Sequence, residues 1–262
     1  NDNVNKSSSP IVAWNWKAGS SFSNSAGANG ATIASSGSVN ATAGFSIISY
    51  TGTNGTAKVA HGLGVAPSMI IFSSLDNGNK NRVIYHKSLT NAGSIYIDET
   101  AASSTSYDYF ADTSPTASVF TVKKDSSYDE TNNYGTNFIA YCFAEKQGYS
   151  KFGQYTGNGN ANSGTFCFTG MKPKFVMTKP FSTSGDWYMH DDKREGYNPE
   201  NDYLKANAND PDSANDDRID LLSNGFKLHT SHASQNGDAV RYLYMAFGQS
   251  LVSSTNIPCT AR

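Results

Sequence analysis

The sequence predicts an all-β protein made of two tandem, diverged repeats, each forming an antiparallel β-sandwich or jelly-roll-like unit. Three observations lead to this fold class: a composition poor in charge and helix formers, short apolar runs separated by turn residues, and motifs that recur at a nearly constant spacing. Two separate sandwiches and one pseudo-twofold double sandwich both fit the pattern.

The composition favours strands and turns over helices. Only 16% of the 262 residues are charged and 37% are hydrophobic, and Gly, Ser, Thr and Asn make up much of the rest. These small polar residues favour turns and weaken helices. The 15 Tyr and 14 Phe would be unusual in a disordered chain, so we expect a folded protein with a substantial core.

The charge pattern argues against a nucleic-acid partner and against membrane insertion. The net charge is −2, the basic residues are scattered, and no apolar stretch reaches transmembrane length. Three widely spaced cysteines, Cys142, Cys167 and Cys259, do not suggest a disulfide framework. Cys142 and Cys167 lie in apolar runs, so we expect them to be small core residues.

An internal repeat organises the chain. Tyr50–Gly52 recurs 105 residues later as Tyr155–Gly157, and Phe138–Ala144 recurs after 104 residues as Tyr242–Gly248. Three further pairs follow the same order: Gly64–Ile71 with Gly170–Met177, His86 with His190, and Val119–Val122 with Gly225–Leu228. We therefore expect unit one at 44–147 and unit two at 148–250, followed by a C-terminal tail at 251–262.

Short apolar runs between turn residues mark the strands. Ser68–Ser73 is almost continuously apolar and predicts a strand buried on both faces, whereas Asn54-Gly55 predicts a tight turn. Only 199–206 and 216–222 have brief helical potential. The other predicted strands are Phe45–Tyr50, Arg82–His86, Ser94–Ile97, Ser118–Val122, Asn137–Ala144, Lys174–Lys179, Asp186–His190, Gly225–His229 and Val240–Phe247.

Residues 1–43 read as the end of an earlier unit followed by a linker. Ile11–Lys17 resembles Phe138–Ala144, so we expect a strand there that closes a preceding unit in a longer protein. Trp14 and Trp16 occupy alternate positions and would be buried on one face of that strand. The Ser- and Gly-rich stretch at 18–43 predicts a flexible linker or a surface loop.

Aromatic residues in the middle of unit two are the candidate ligand-binding residues. Aromatic faces beside Asn, Asp and Lys side chains can stack on sugar rings while the polar groups bind hydroxyls. The candidates are Trp187, Tyr188, Tyr197 and Tyr203. The alternative is that these residues pack the core or a subunit interface, where aromatics are equally common.

A group of aspartates is the candidate metal site. Calcium binds several carboxylate and carbonyl oxygens at once, and closely spaced aspartates can supply them. The candidates are Asp210, Asp212, Asp216, Asp217 and Asp220. Their spacing does not match a calcium-loop signature, and a solvated acidic loop is the alternative. No other cofactor is expected.

The sequence predicts no enzyme and no catalytic residue. It contains no nucleophile elbow, phosphate-binding loop or zinc-protease motif. Because His86 and His190 recur with the repeat, we expect both to be hydrogen-bonded structural residues. His229 and His232 form a lone pair, which is too few ligands to indicate a metal.

Several segments resemble a family of virion proteins from phages of marine bacteria, described as tail-fibre or structural components. The resemblance lies in the residues at 13–19, 44–52, 61–67, 141–159 and 260–262, and it covers nearly the whole chain after about residue 10. It implies a virion or extracellular location, homo-oligomerisation, contacts with other virion proteins and contact with a host surface. It implies no catalytic residue.

These observations lead to one expected function and two alternatives. The expected function is a non-enzymatic structural or adhesive virion component, such as a tail fibre, tip or decoration. One alternative is a carbohydrate-binding module or glycan-degrading tail spike that acts on a host surface glycan. The other is a self-assembling filament in which Ile11–Lys17 adds to a sheet edge of a neighbouring subunit.

Overall fold

The computed structural model describes residues 11–124, 128–194, 198, 202–213 and 217–252. The strands in these residues pair antiparallel, which confirms the all-β fold class. The one helical element among them is a single 3-10 turn at Ala28–Gly30. None of the described helical residues forms a helix long and apolar enough to cross a membrane.

The strands follow one another with short connections. In chain order they are β1 (Ser20–Asn24), β2 (Ser35–Asn40), β3 (Phe45–Thr51), β4 (Thr56–Ala60), β5 (Met69–Ser74), β6 (Val83–His86), β7 (Ile95–Tyr96), β8 (Val119–Lys123), β9 (Asn137–Phe143), β10 (Ser150–Thr156), β11 (Phe166–Phe168), β12 (Met171–Pro180), β13 (Tyr188–Asp191), β14 (Leu204–Lys205), β15 (Ile219–Leu221), β16 (Gly225–Leu228) and β17 (Arg241–Ser250).

The strands form two large sheets and two small ones. The first large sheet has the order β1-β2-β3-β9-β5-β6-β7, and the second has the order β10-β17-β12-β13-β14. The last five strands of the first sheet, β3-β9-β5-β6-β7, therefore follow the same relative chain order as the five strands of the second sheet. The small sheets, β4-β8 and β11-β16-β15, also pair corresponding strands of the two halves.

The two large sheets pack face to face, and a small sheet covers the outer face of each. This layering is consistent with a β-sandwich and buries each large sheet on both faces. Along β5, Ile70 and Phe72 enter the outer core of unit one, whereas Met69 enters the core between the large sheets. This alternation explains why the central strands are apolar without a period of two.

The core between the large sheets contains residues from both halves of the chain. Its buried members are Phe45, Met69, Ile84, Ile95, Phe143, Phe152, Phe175, Met177, Phe181, Trp187, Leu243, Met245 and Phe247. Separate outer cores lie between each large sheet and its small sheet. Cys142 and Cys167 are buried in these outer cores, as predicted, whereas Cys259 lies outside the described residues.

A buried tyrosine is placed in the same way in both halves. Tyr50 stacks on Phe138 at 5.5 Å between ring centroids, and Tyr155 stacks on Tyr242 at 4.8 Å. The Tyr50 hydroxyl donates to the carbonyl of Thr131 at 2.6 Å, and the Tyr155 hydroxyl donates to that of Gln235 at 2.7 Å. Burial raises the pKa of both phenols well above the ordinary value of 10.0, so both remain neutral donors.

The prediction of a linker or loop at 18–43 is wrong. This segment forms β1 and β2, which extend the first large sheet beyond β3. Backbone hydrogen bonds hold these strands, and such bonds do not require apolar side chains. Within β1 and β2, the half-buried Phe22 and Val39 provide the apolar packing against the outer core.

Two other local predictions also differ from the structure. Ile11–Lys17 has no described strand pairing, although Val12, Trp14 and Trp16 alternate with more exposed neighbours as a strand would. The described parts of the two segments with helical potential are strands β14 and β15 instead. Both are two- or three-residue edge strands, which are too short to produce a periodic signal.

Candidate binding and assembly surfaces

Two of the predicted ligand-binding aromatics pack around an arginine. The rings of Tyr188 and Tyr203 lie 5.0 Å apart at 63°, and the Arg218 guanidinium carbon lies 5.0 Å and 4.6 Å from their centroids. Tyr188 and Arg218 are both buried. A cation over two aromatic rings stabilises such a cluster, so the geometry supports the packing interpretation for Tyr188. Tyr197 lies outside the described residues.

Trp187 is a core residue rather than a platform for a ligand. It is 1% exposed and packs between the two large sheets. Its indole Nε1 donates a hydrogen bond of 2.8 Å to the carbonyl of Tyr96 in unit one. Both faces and the polar edge of Trp187 are therefore occupied, and the side chain joins the two halves.

Three of the described aspartates pair with basic side chains instead of converging on a metal position. Asp210 pairs with Lys205 at 2.8 Å, Asp220 pairs with His229 at 2.5 Å, and Asp212 pairs with Arg194. Among the described residues, Asp217 included, no group of three or more potential ligands could hold a metal ion. The calcium prediction is not supported there, and Asp216 lies outside the described residues.

Some of the predicted residues do meet at a shallow groove. Tyr203, Lys205, Asp210, Asp212 and Ser213 line a cavity of about 410 Å³ together with one proline. The backbone of Tyr203 exchanges hydrogen bonds with that of Ser213. The groove offers polar contacts and one half-buried ring. Lys205 and Arg194 each bridge two aspartates, so carboxylates outnumber cations around the groove and an anionic ligand has little reason to bind there.

The two histidines that were predicted to be equivalent, His86 and His190, lie on different faces of their sheets, so that prediction is wrong. His86 pairs with Met69 on the inter-sheet face, whereas His190 pairs with Val176 on the outer face. A one-residue difference in spacing causes this, because neighbouring strand residues point to opposite faces.

Both histidines are buried and neutral, as a structural role requires. Burial lowers the pKa of His86 to about 4. Burial, followed by the nearby charges of Arg194 and Arg218, lowers that of His190 to about 3. The neutral His190 Nε2 accepts a hydrogen bond of 2.9 Å from the side-chain amide of Gln235.

Lys179 forms a buried joint between the two halves that sequence reasoning missed. Its side chain is fully buried, and Nζ donates to the carbonyls of Thr100 and Ala101 at 3.0 Å and of Gly185 at 2.5 Å. Burial lowers the pKa of this amine to about 8. A lysine within an apolar strand indicates that a charged group could be buried there, but no sequence pattern predicts its carbonyl partners.

The N-terminal segment closes the cleft between the large sheets. Trp16 contacts Phe143 of unit one at 5.8 Å and Phe247 of unit two at 5.3 Å. Trp14 contacts Phe175 at 5.4 Å, and Arg194 lies 6.0 Å from the Trp14 ring. The two indoles cover an apolar cavity of about 420 Å³. The two tryptophans share one face, as predicted, but they are half-buried against the core of the same chain rather than fully buried.

Strand β11 exposes the largest aromatic surface of unit two among the described residues. It is an edge strand of its sheet. Phe166 and Phe168 are 46% and 61% exposed, whereas Cys167 between them faces the outer core at 6%. Sequence reasoning placed Cys167 correctly but missed the two phenylalanines, although their alternation with a core residue was a visible signal.

Comparison with known proteins gives one family match. A family model described as "Domain of unknown function (DUF7483)" matches residues 1–250. No curated protein and no solved structure matches the chain significantly.

Proposed function

Because the chain belongs to the DUF7483 family, whose function is unknown, we propose a function from the residues themselves: a non-enzymatic structural and adhesive component of a virus particle. In this proposal the chain arose by duplication of one β unit. It acts as a rigid building block that assembles with its own copies and with other virion proteins. Contact with a host surface glycan belongs to the same proposal.

The observation that carries the proposal is the shared core of the two halves. Phe143 and Phe247 occupy the same position on β9 and β17, and both pack into the core between the sheets at 5.9 Å from each other. Matching strand orders that meet in one core make the halves mechanically dependent on each other. A rigid unit of this kind suits a component that must hold its shape within a particle.

The polar joints support the same proposal. Lys179 and Trp187 both cross from unit two to backbone carbonyls of unit one. Ser103 adds two hydrogen bonds to the carbonyl of Phe181, from its backbone N–H and from its hydroxyl, both at 3.0 Å. Buried polar groups that satisfy each other across an interface fix its geometry.

Two of the segments that resemble virion proteins lie where parts of the molecule join. The residues at 13–19 include both cleft-closing tryptophans, and those at 141–159 run from β9 of unit one into β10 of unit two. Resemblance at these two joins is expected if the shared property is the assembly of β units.

Particle composition tests the proposal directly. Phage particles of the native source would be purified on a density gradient, digested and analysed by quantitative mass spectrometry. The expected result is this protein at constant stoichiometry to the major capsid protein across gradient fractions. Its presence in the lysate but not in particles would contradict the proposal.

Activity on glycans tests the adhesive part. The purified chain would be applied to a glycan array and incubated with host surface polysaccharide, with release of reducing ends measured. Binding without release is the expected outcome for an adhesive protein. Release of reducing ends would contradict the non-enzymatic proposal.

A further inference from the structure

The edge strand β11 lies in a palindromic stretch of sequence. The chain reads Gly-Thr-Phe-Cys-Phe-Thr-Gly from residue 164 to residue 170, so it is the same in both directions about Cys167. Two antiparallel copies of this segment, related by a twofold axis at Cys167, would place Phe opposite Phe and Thr opposite Thr. A self-complementary surface of this kind is what a twofold interface requires.

Among the described residues, no strand pairs with the backbone of β11 on the side away from β16. Thr165 accepts a hydrogen bond from Leu228 N at 3.0 Å, and Thr169 N donates to Asn224 at 3.0 Å, both on the β16 side. Hydrogen-bonding direction alternates along an antiparallel strand. The N–H and C=O groups of Phe166 and Phe168 therefore point towards the open edge, beside their two exposed rings.

The corresponding edge in unit one is covered by the chain itself. On β4, the backbone N–H of Lys58 donates to the Thr32 hydroxyl at this edge, at 2.8 Å. The carbonyl of Lys58 accepts from Thr32 N at 2.9 Å. Thus the same position is occupied in one half and open in the other, and the open one lacks the charged residue that usually protects an edge.

We propose that β11 pairs antiparallel with β11 of a second copy, about a twofold axis through Cys167. Phe166 exchanges backbone hydrogen bonds with Phe168 of the second copy, and the rings of these residues pack side by side on the outer face. The two three-stranded sheets become one continuous sheet. No charged side chain lies in the paired segment, so like charges do not meet at the axis.

Substitution of the two phenylalanines by charged residues tests this pairing. Phe166→Lys with Phe168→Lys gives one variant, and Phe166→Glu with Phe168→Glu gives the other. Each variant places like charges opposite each other, so we expect both to be monomeric in sedimentation velocity while the wild type is a dimer. An equimolar mixture of the two should restore the dimer, because opposite charges then face each other.

Tyr134→Lys is the matched control, since Tyr134 is 74% exposed on unit one. It should sediment as the wild type does, and far-UV circular dichroism should show that all variants are folded. A wild type that stays monomeric across a concentration series would overturn the proposal, as would charge variants that remain dimers. Loss of glycan-array binding in the charge variants without a change in mass would instead assign this surface to a glycan.

Discussion

At the scale of single residues, burial decides how the polar groups of this protein behave. His86 and His190 are neutral because the core disfavours their charged forms. Lys179 sits in the same kind of environment, and three backbone carbonyls hold it. In each case the side chain links strands or loops that lie far apart in sequence.

The low pKa of His190 predicts a pH-dependent stability. The ordinary histidine value is 6.5 and the folded value is about 3. Between these values the unfolded chain binds a proton that the folded chain does not, so stability falls as pH falls through this window. Between pH 6.5 and 4.5, the wild type should lose about 2 kcal/mol of stability through His190. His190→Gln lacks this titrating group, so its loss over the same range should be smaller by about 2 kcal/mol.

Urea unfolding at several pH values between 6.5 and 4.5 measures this difference. His232→Gln is the control, because His232 is an exposed histidine of the same unit. The comparison uses the slope of stability against pH, so any constant cost of the substitution cancels. An unchanged slope in His190→Gln would show that His190 does not titrate across this window.

At the scale of elements, close backbone approach determines where the strands of each half turn. An added Cβ on Gly52 would lie 2.1 Å from the carbonyl oxygen of Asn133, and one on Gly157 would lie 2.3 Å from that of Gly237. Both glycines directly follow the strand that carries the stacked tyrosine. The same steric restriction thus applies at the same point of both halves.

Gly157→Ala should destabilise the protein by more than about 1 kcal/mol, because the new methyl group would have to displace backbone. Gly78→Ala is the matched control, since an added Cβ there would meet nothing within 4 Å. Thermal unfolding of the two variants makes the comparison. Equal midpoints for Gly157→Ala and Gly78→Ala would refute the close approach at Gly157.

At the scale of the whole molecule, one core serves both halves. Phe143 comes from unit one and Phe247 from unit two, and Trp16 of the N-terminal segment contacts both rings. Units that share such a core cannot lose one half without exposing the apolar face of the other. The molecule should therefore unfold as a single cooperative unit.

Calorimetry tests this cooperativity. We expect one unfolding transition in the wild type. Phe143→Ala and Phe247→Ala should each lower the midpoint of that same transition, because each removes about 3–5 kcal/mol of unfolding free energy. The exposed Tyr134→Ala is the control and should change it little. Two resolved transitions, with each substitution moving only one of them, would mean that the halves fold independently.

Much of the fold was predictable because the central strands carry strong local signals. The apolar runs that became β5, β9, β12 and β17 were all identified, with ends within a few residues. The strands β1 and β2 were missed because their side chains are mostly small and polar. Backbone pairing of β2 with β3, and of β1 with β2, is the main source of their order. The sequence identifies the candidate binding residues, but it does not predict which of them are buried.

The sequence by itself determined the all-β class, the central strands and the cores that contain Cys142 and Cys167, because alternation and turn chemistry are local properties. Only the tertiary structure decided which face each residue occupies and which edges remain open. A one-residue change in register sends His86 and His190 to different cores. The exposure of Phe166 and Phe168 likewise depends on the position of β11 at the edge of its sheet. The packing of the whole chain sets that position, and local sequence does not.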